Sequence, residues 1–220
     1  MSPSALRLQE LVSLLSERQT VPCDKSWSLT AVAGRFVELT GVGASALLTA
    51  AFGLVVDAQR RGEPAAWITF PQSTFFPPDA AEGGVDLDSL AVVRVLDPSM
   101  AARAAIQLTR SGGFGLVVLD FGGVASDGGS SSARNLSLPL QTRLVGMAQK
   151  HDTAIVVLSE KPAEAPSLGS LVSLRVEVQR QELDESPSDR NQMQLRVLKD
   201  KRRGPGRVHQ EICHGPAGLC

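Results

Sequence analysis

The sequence predicts an α/β domain: a mostly parallel central sheet flanked by helices, an antiparallel C-terminal extension, and an amphipathic helix in front. Three observations predict it. Apolar runs of strand length at Ala65–Phe70, Leu90–Val95, Leu116–Asp120 and Thr153–Leu158 alternate with helical spacing at Pro98–Arg110 and Leu138–Lys150. That alternation is the pattern of parallel strands covered on both faces. A short strand, Gly34–Gly41, runs through a glycine turn into a long apolar helix, Ala44–Arg60. After Ser167 the period changes to two at Leu171–Gln179, and Met193–Leu198 and Val208–Ile212 also read as strands.

The elements follow in order. Ser2 and Pro3 form an N-cap and a proline at the first helical position. Leu8, Leu11, Val12 and Leu15 then recur at helical spacing, so residues 1–28 form a separate amphipathic helix and connector that must dock somewhere. Residues 29–220 are read as the core domain. Gln59-Arg60-Arg61-Gly62 gives the long helix a basic last turn and a glycine stop. Phe70–Gly84, Phe121–Asn135 and Glu182–Asn191 read as loose segments, rich in Pro, in Gly and Ser, and in acidic residues respectively. Lys199–Arg207 reads as a basic hairpin turn between the last two strands.

Composition narrows the classes. With 22 basic and 23 acidic residues, no global field draws the chain to nucleic acid or membrane. The longest apolar stretch, Ala46–Val56, is too short to span a bilayer, and no signal-peptide pattern opens the chain. Three scattered cysteines, Cys23, Cys213 and Cys220, suit a reducing cytoplasm. His209, Cys213, His214 and Cys220 match no familiar zinc spacing, so no metal is expected. Lacking Tyr, the core should be mostly Leu, Val and Ala.

The turn at Gly41 has the outline of a phosphate-binding loop, G-x-x-x-x-G-K-[ST], without its chemistry. Counted from Gly41, the last three places hold Ala46, Leu47 and Leu48. In the working loop the lysine reaches the outer phosphates and the hydroxyl binds magnesium. Hydrogen bonds to charged groups contribute roughly 1.5–3 kcal/mol each, so losing both should cost ~100- to 10,000-fold in affinity. Gly41, Gly43, Ser45, Leu47 and Leu48 are therefore read as a degenerate loop that binds no nucleoside triphosphate tightly. Asp120 closes an apolar strand as the acid of a Walker B strand would, and is expected to hydrogen-bond to the loop beneath it.

Six pieces in this order resemble the core of the recombinase RecA: Gly34–Leu39, Ala58–Gly62, Gly84-Val85-Asp86-Leu87-Asp88-Ser89-Leu90, Leu116–Asp120, Leu174–Val178 and Arg196–Lys201. The third is the most specific. Together they cover Gly34 to Ile212. The chain departs from the family where chemistry is needed. In an ungapped count the place of the water-activating glutamate falls near Pro71, and the second DNA-binding loop shrinks to about Lys161–Leu168. The first such loop becomes Asp127–Ser132, and the recombinase's C-terminal domain has no counterpart. A relative that kept the scaffold and lost the motor is similar to the ImuA family of accessory proteins in mutagenic translesion synthesis. That resemblance implies a non-catalytic adaptor with no cofactor in the bacterial DNA-damage (SOS) response. Its partners would be an ImuB-like protein, the error-prone DNA polymerase and RecA. A cell-division inhibitor similar to SulA, or a residual RecA-family ATPase, are the other readings.

The resemblance also marks surfaces. Leu8, Leu11, Val12 and Leu15, with Lys199 and Lys201, match residues that RecA presents to its neighbouring protomer, which implies a protein interface or self-association. Arg202, Arg203 and Arg207 could touch DNA or a partner, or simply be solvated. Any DNA contact would be weak, salt-sensitive and non-specific, because no aromatics are interleaved for base stacking.

Overall fold

The computed structural model describes residues 27–73, 75–122, 136–182 and 190–214. The leading segment with Leu8, Leu11, Val12 and Leu15, and the loop Asp127–Ser132, lie outside the described residues.

A single turn, α1 (Leu29–Val32), precedes β1 (Phe36–Gly41), α2 (Leu47–Arg60), β2 (Ala65–Thr69), α3 (Pro77–Glu82), β3 (Leu90–Arg94), α4 (Pro98–Arg110) and β4 (Leu116–Asp120). Then come α5 (Leu138–His151), β5 (Ala154–Glu160), β6 (Leu174–Glu182), β7 (Arg190–Asp200) and β8 (Val208–His214). The strands form one eight-stranded sheet in the order β3-β2-β4-β5-β1-β6-β7-β8. Neighbours from β3 through β6 pair in parallel, while β6–β7 and β7–β8 are antiparallel. The sheet is thus mostly parallel with an antiparallel C-terminal edge, as the sequence predicts.

Two layers of side chains cover the sheet. On one face α2 packs Leu47, Ala50, Leu54, Val55 and Ala58 against Val37, Leu39, Trp67 and Val156. On the other, α4 and α5 bring Ala101, Ala105, Ile106 and Leu144 onto Phe36, Ile68, Val117 and Ile155. The central strands β1, β2 and β4 are buried at every residue, which is why β2 and β4 read as nearly continuous apolar runs. The aliphatic core expected from composition is joined by an aromatic cluster. Phe52, Trp67 and Phe75 stack with centroids 4.9 Å (Phe52–Trp67) and 5.2 Å (Trp67–Phe75) apart.

Two expectations are corrected. Phe70–Gly84 is not all loop, because Pro77 and Pro78 open α3. Proline fits the first helical turn, where an N–H has no partner inside the helix anyway. The strand that begins the late segment, β6, does not start the antiparallel part; it lies parallel to β1 and turns antiparallel only toward β7. Boundaries also move: α2 starts at Leu47 rather than Ala44, with Gly43 at φ +59 in the turn before it. Elsewhere α4 covers the predicted Pro98–Arg110, started by Asp97, whose side chain accepts from the Met100 backbone N–H at 2.8 Å.

Two of the resemblance pieces meet in space. The Gln59 side chain donates to the Asp86 carbonyl at 2.7 Å and accepts from the Asp86 N–H at 3.0 Å. The end of α2 is thereby tied to the Asp86–Ser89 turn, where Ser89 Oγ donates to the Asp86 carboxylate at 2.6 Å.

Candidate functional site: a sealed phosphate-loop region

In an open parallel sheet a ligand belongs beyond the carboxyl ends of the strands. Here that place is the loop 42–46 between β1 and α2. Gly41 cannot carry a side chain: a Cβ there would stand 2.7 Å from Ser45 Oγ and 2.9 Å from the Val178 carbonyl. Ser45 has folded back over the strand end, and its backbone N–H donates to the Gly43 carbonyl at 2.8 Å. That N–H is spent inside the turn. Val42 stands in solvent.

Leu47 and Leu48 take different places. Leu47 is 7% exposed and belongs to the core beneath α2. Leu48 is half-buried against the same core and faces a groove on the outer side of the helix. A cavity at the strand ends near the loop, about 220 Å³, is lined by Gly41, Ser45, Lys161, Glu177 and Arg180, among others. At about 220 Å³ it is smaller than the roughly 300–1,000 Å³ that small-molecule sites usually occupy. Its lysine is committed elsewhere: Lys161 Nζ lies 2.6 Å from Glu38 Oε1 and donates to the Pro166 carbonyl at 2.6 Å.

Asp120 ends β4 with its carboxylate turned inward. Ser73 Oγ donates to it at 2.7 Å, the Gly122 N–H at 3.0 Å, and Thr69 Oγ1 sits at 3.4 Å. Burial pushes its carboxyl up, against the downward pull of the Ser73 hydroxyl and the Gly122 N–H. This is the hydrogen bonding to the loop beneath that the sequence leads one to expect. Pro71 precedes Ser73 in that loop, whose hydroxyl is turned to Asp120. Among the described residues no cluster of three or more His, Cys, Asp or Glu could hold a metal.

The residue missed in the sequence is Glu38. It is fully buried in β1, yet every neighbour is a donor. Ser159 Oγ lies at 3.1 Å, Ser167 Oγ at 2.8 Å, and the Leu168 N–H at 3.2 and 3.0 Å from its two oxygens. Lys161 and Arg175 flank it as ion pairs at 2.6 and 3.5 Å. Arg175 also donates to the Ala165 and Pro162 carbonyls at 2.7 and 3.2 Å. Lys161–Leu168, read as a shortened DNA-binding loop, is in this way clamped to the domain from beneath. The one signal in the sequence is a lone glutamate in an otherwise apolar strand.

The basic hairpin is anchored in a similar way. Arg35, ahead of β1, donates to Asp200 Oδ1 at 2.7 Å, and Arg207 pairs with Asp200 Oδ2. Burial would raise the Asp200 carboxyl, but the Arg202 N–H and the guanidinium groups of Arg35 and Arg207 hold it down at about 2. Lys199 and Lys201 both donate to the Ser170 carbonyl, at 3.3 and 2.8 Å. The structure thus places Lys199, Lys201 and Arg207 in intramolecular contacts and leaves Arg202 and Arg203 exposed at the turn.

This architecture matches known proteins. No family model matches the sequence. The chain is similar to RecA of Clavibacter michiganensis subsp. michiganensis, with 29% identity over 197 residues covering 78% of this chain and 54% of that one. It is also similar to RecA of Lactobacillus johnsonii, at 28% over 209 residues, 83% of this chain and 58% of that one. A shorter match to RecA of Bifidobacterium breve reaches 37% over 87 residues, 40% of this chain and 22% of that one. The chain therefore spans little more than half the length of the curated relatives it matches most broadly. The crystal structure of the RadB recombinase superposes with a TM-score of 0.59 at 15% identity, covering 81% of this chain and 87% of that one. The fold is RecA-like, and the chain stands among RecA-like proteins at the level of the superfamily. No described helix is long and apolar enough to cross a membrane.

Proposed function

We propose that the chain is a RecA-like adaptor without a nucleotide motor, of the ImuA type. It would support error-prone translesion synthesis in the bacterial DNA-damage response through contacts with an ImuB-like protein, the error-prone polymerase and RecA. One observation carries the reading: Leu47 fills the hydrophobic core at the place where a triphosphate would need a cation. The sealed surroundings agree with it, because Ser45 closes over Gly41 and Ser73 occupies Asp120. On this reading the domain acts through its surfaces. Candidate contacts are Leu8, Leu11, Val12 and Leu15, together with the exposed Arg202 and Arg203.

The test pairs calorimetry with co-purification. The full chain titrated with magnesium–ATP should release no binding heat at micromolar nucleotide, and it should co-purify with an ImuB-like protein and polymerase from damaged cells. Micromolar binding, or ATP turnover abolished by Asp120→Ala, overturns the motorless reading and favours a residual ATPase. Filamentous cells on overexpression, with no polymerase retained, would instead favour an inhibitor of cell division.

A further inference from the structure

The sheet ends on β8, whose strand neighbour among the described residues is β7 alone. The two pair without a break in register, from Arg196↔Val208 to Arg190↔His214. The outer edge of β8 is therefore a regular row of backbone donors and acceptors. One bond fixes which residues supply that row. The Arg207 carbonyl accepts from the Val197 N–H at 2.8 Å, so it points at β7. Along an antiparallel strand the N–H and C=O of a residue share a direction, and successive residues alternate. His209, Glu211 and Cys213 hence turn their backbone groups to β7, while Val208, Gln210 and Ile212 turn theirs outward. Sheet edges are ordinarily blunted by lysine, proline or a bulge. The run Val208-His209-Gln210-Glu211-Ile212 carries none of these.

The side chains of this run identify the occupant. Val208 and Ile212 stand on one face, 50% and 62% exposed, with Gln210 between them. His209 and Glu211 share the other face, imidazole and carboxylate 3.7 Å apart. Read backwards, the run is complementary to itself. In an antiparallel pairing with a second copy, about a two-fold axis at Gln210, Val208 stands opposite Ile212 of that copy and His209 opposite its Glu211. Aliphatic pairs then form on one face and imidazole–carboxylate pairs on the other. The outward N–H and C=O groups of Val208, Gln210 and Ile212 meet the same groups of the second copy, so each finds a partner. An axis at Glu211 would set that carboxylate against itself, and like charges directly opposite are destabilising. An axis at His209 would shorten the paired run. Charge and register thus favour a second copy of this chain over an arbitrary strand.

We propose that two copies of the chain join edge to edge through β8, antiparallel about Gln210, into one continuous sheet. An interface this short is small, so the dimer is reversible and forms at micromolar concentrations. Such a dimer forms whether or not the chain acts as an adaptor.

Sedimentation velocity of the full chain from about 1 to about 200 µM measures the dissociation constant, expected within that range. Gln210→Pro removes an outward N–H and leaves the bonds to β7 in place, a position where a strand tolerates proline. It should raise the dissociation constant at least ~10-fold, because a backbone hydrogen bond is lost on each side of the axis. His209→Glu sets carboxylates opposite one another and should raise it at least ~5-fold. Adding Glu211→His to that variant should restore the parent value, since the opposed pairs are exchanged but kept. Circular dichroism of each variant should match the parent; if Gln210→Pro does not fold, the charge exchange decides alone. A monomer throughout the range, or a dimer that His209→Glu leaves unchanged, would overturn the proposal. So would a double exchange that recovers nothing.

Discussion

Replacing Glu38 with glutamine tests the clamp beneath Lys161–Leu168. The substitution keeps the volume and removes one charge. Because every neighbour of the carboxylate donates, the new amide must turn its NH₂ toward a donor whichever way it is flipped. The hydroxyls of Ser159 and Ser167 can rotate to accept, but Lys161 Nζ and the Leu168 N–H cannot. At least one charge-assisted hydrogen bond is lost, about 1.5–3 kcal/mol. Arg175, with a side chain only 7% exposed, also loses its counter-charge, and breaking a buried pair from one side costs up to about 3–5 kcal/mol. Lys161 is partly solvated and recovers some of this, so the net expectation is about 2–4 kcal/mol. With a urea slope of about 2–3 kcal/mol/M for a domain of this size, the midpoint should fall by roughly 1 M. Urea unfolding followed by Trp fluorescence measures the shift, and hydrogen exchange should show the Leu168 amide opening faster. A midpoint within 0.2 M of the parent, allowing for about 0.5 kcal/mol of scatter, would mean that the buried carboxylate holds nothing in place.

Other outcomes follow from the same geometry. Because the Asp200 carboxyl sits at about 2 in the fold, below its ordinary 3.8, its contribution is present above pH 3.8 and lost as pH falls toward 2. Asp200→Asn should therefore cost about 1–2 kcal/mol at pH 7 and almost nothing near pH 2, read from unfolding at both pH values. Asp120 has the opposite sign: its carboxyl is raised, so ionisation at neutral pH opposes folding. Asp120→Asn should leave stability at pH 7 within about 1 kcal/mol of the parent or above it. A larger loss in thermal unfolding would mean the charge is needed. Leu47→Lys should destabilise by about 2–4 kcal/mol, since a core methyl cluster is replaced by an ammonium, and calorimetry should still detect no ATP binding. Arg202→Glu with Arg203→Glu should abolish any retention on single-stranded DNA at low salt; unchanged retention removes the hairpin from DNA binding.

Much of the fold was legible because burial on both faces makes the central strands continuous apolar runs. Leu116–Asp120 and Pro98–Arg110 fall where their sequences place them. What sequence could not supply is partner direction. The alternation in Leu174–Val178 marks a strand, yet says nothing about whether its neighbour runs with it or against it. Pro77 and Pro78 sit in a stretch that reads as loose, because a proline that ends one helix can equally begin another. The buried charges were the larger gap. Arg35, Glu38, Arg175 and Asp200 are all buried, and a charged residue in a sequence is ordinarily assigned to the surface. Arg35 meets Asp200 and Glu38 meets Arg175 across well over a hundred positions, so no local pattern joins those pairs.

The link between Arg35 and Asp200 spans 165 positions. During synthesis the amino-terminal strands emerge long before the hairpin that neutralises this guanidinium. Until residue 200 leaves the ribosome, the nascent domain must either keep Arg35 in water, with that end of β1 unsealed, or enclose a lone cation. Completion of the sheet thereby waits for the hairpin, and polypeptides stopped ahead of it should be recognised and cleared as unfinished.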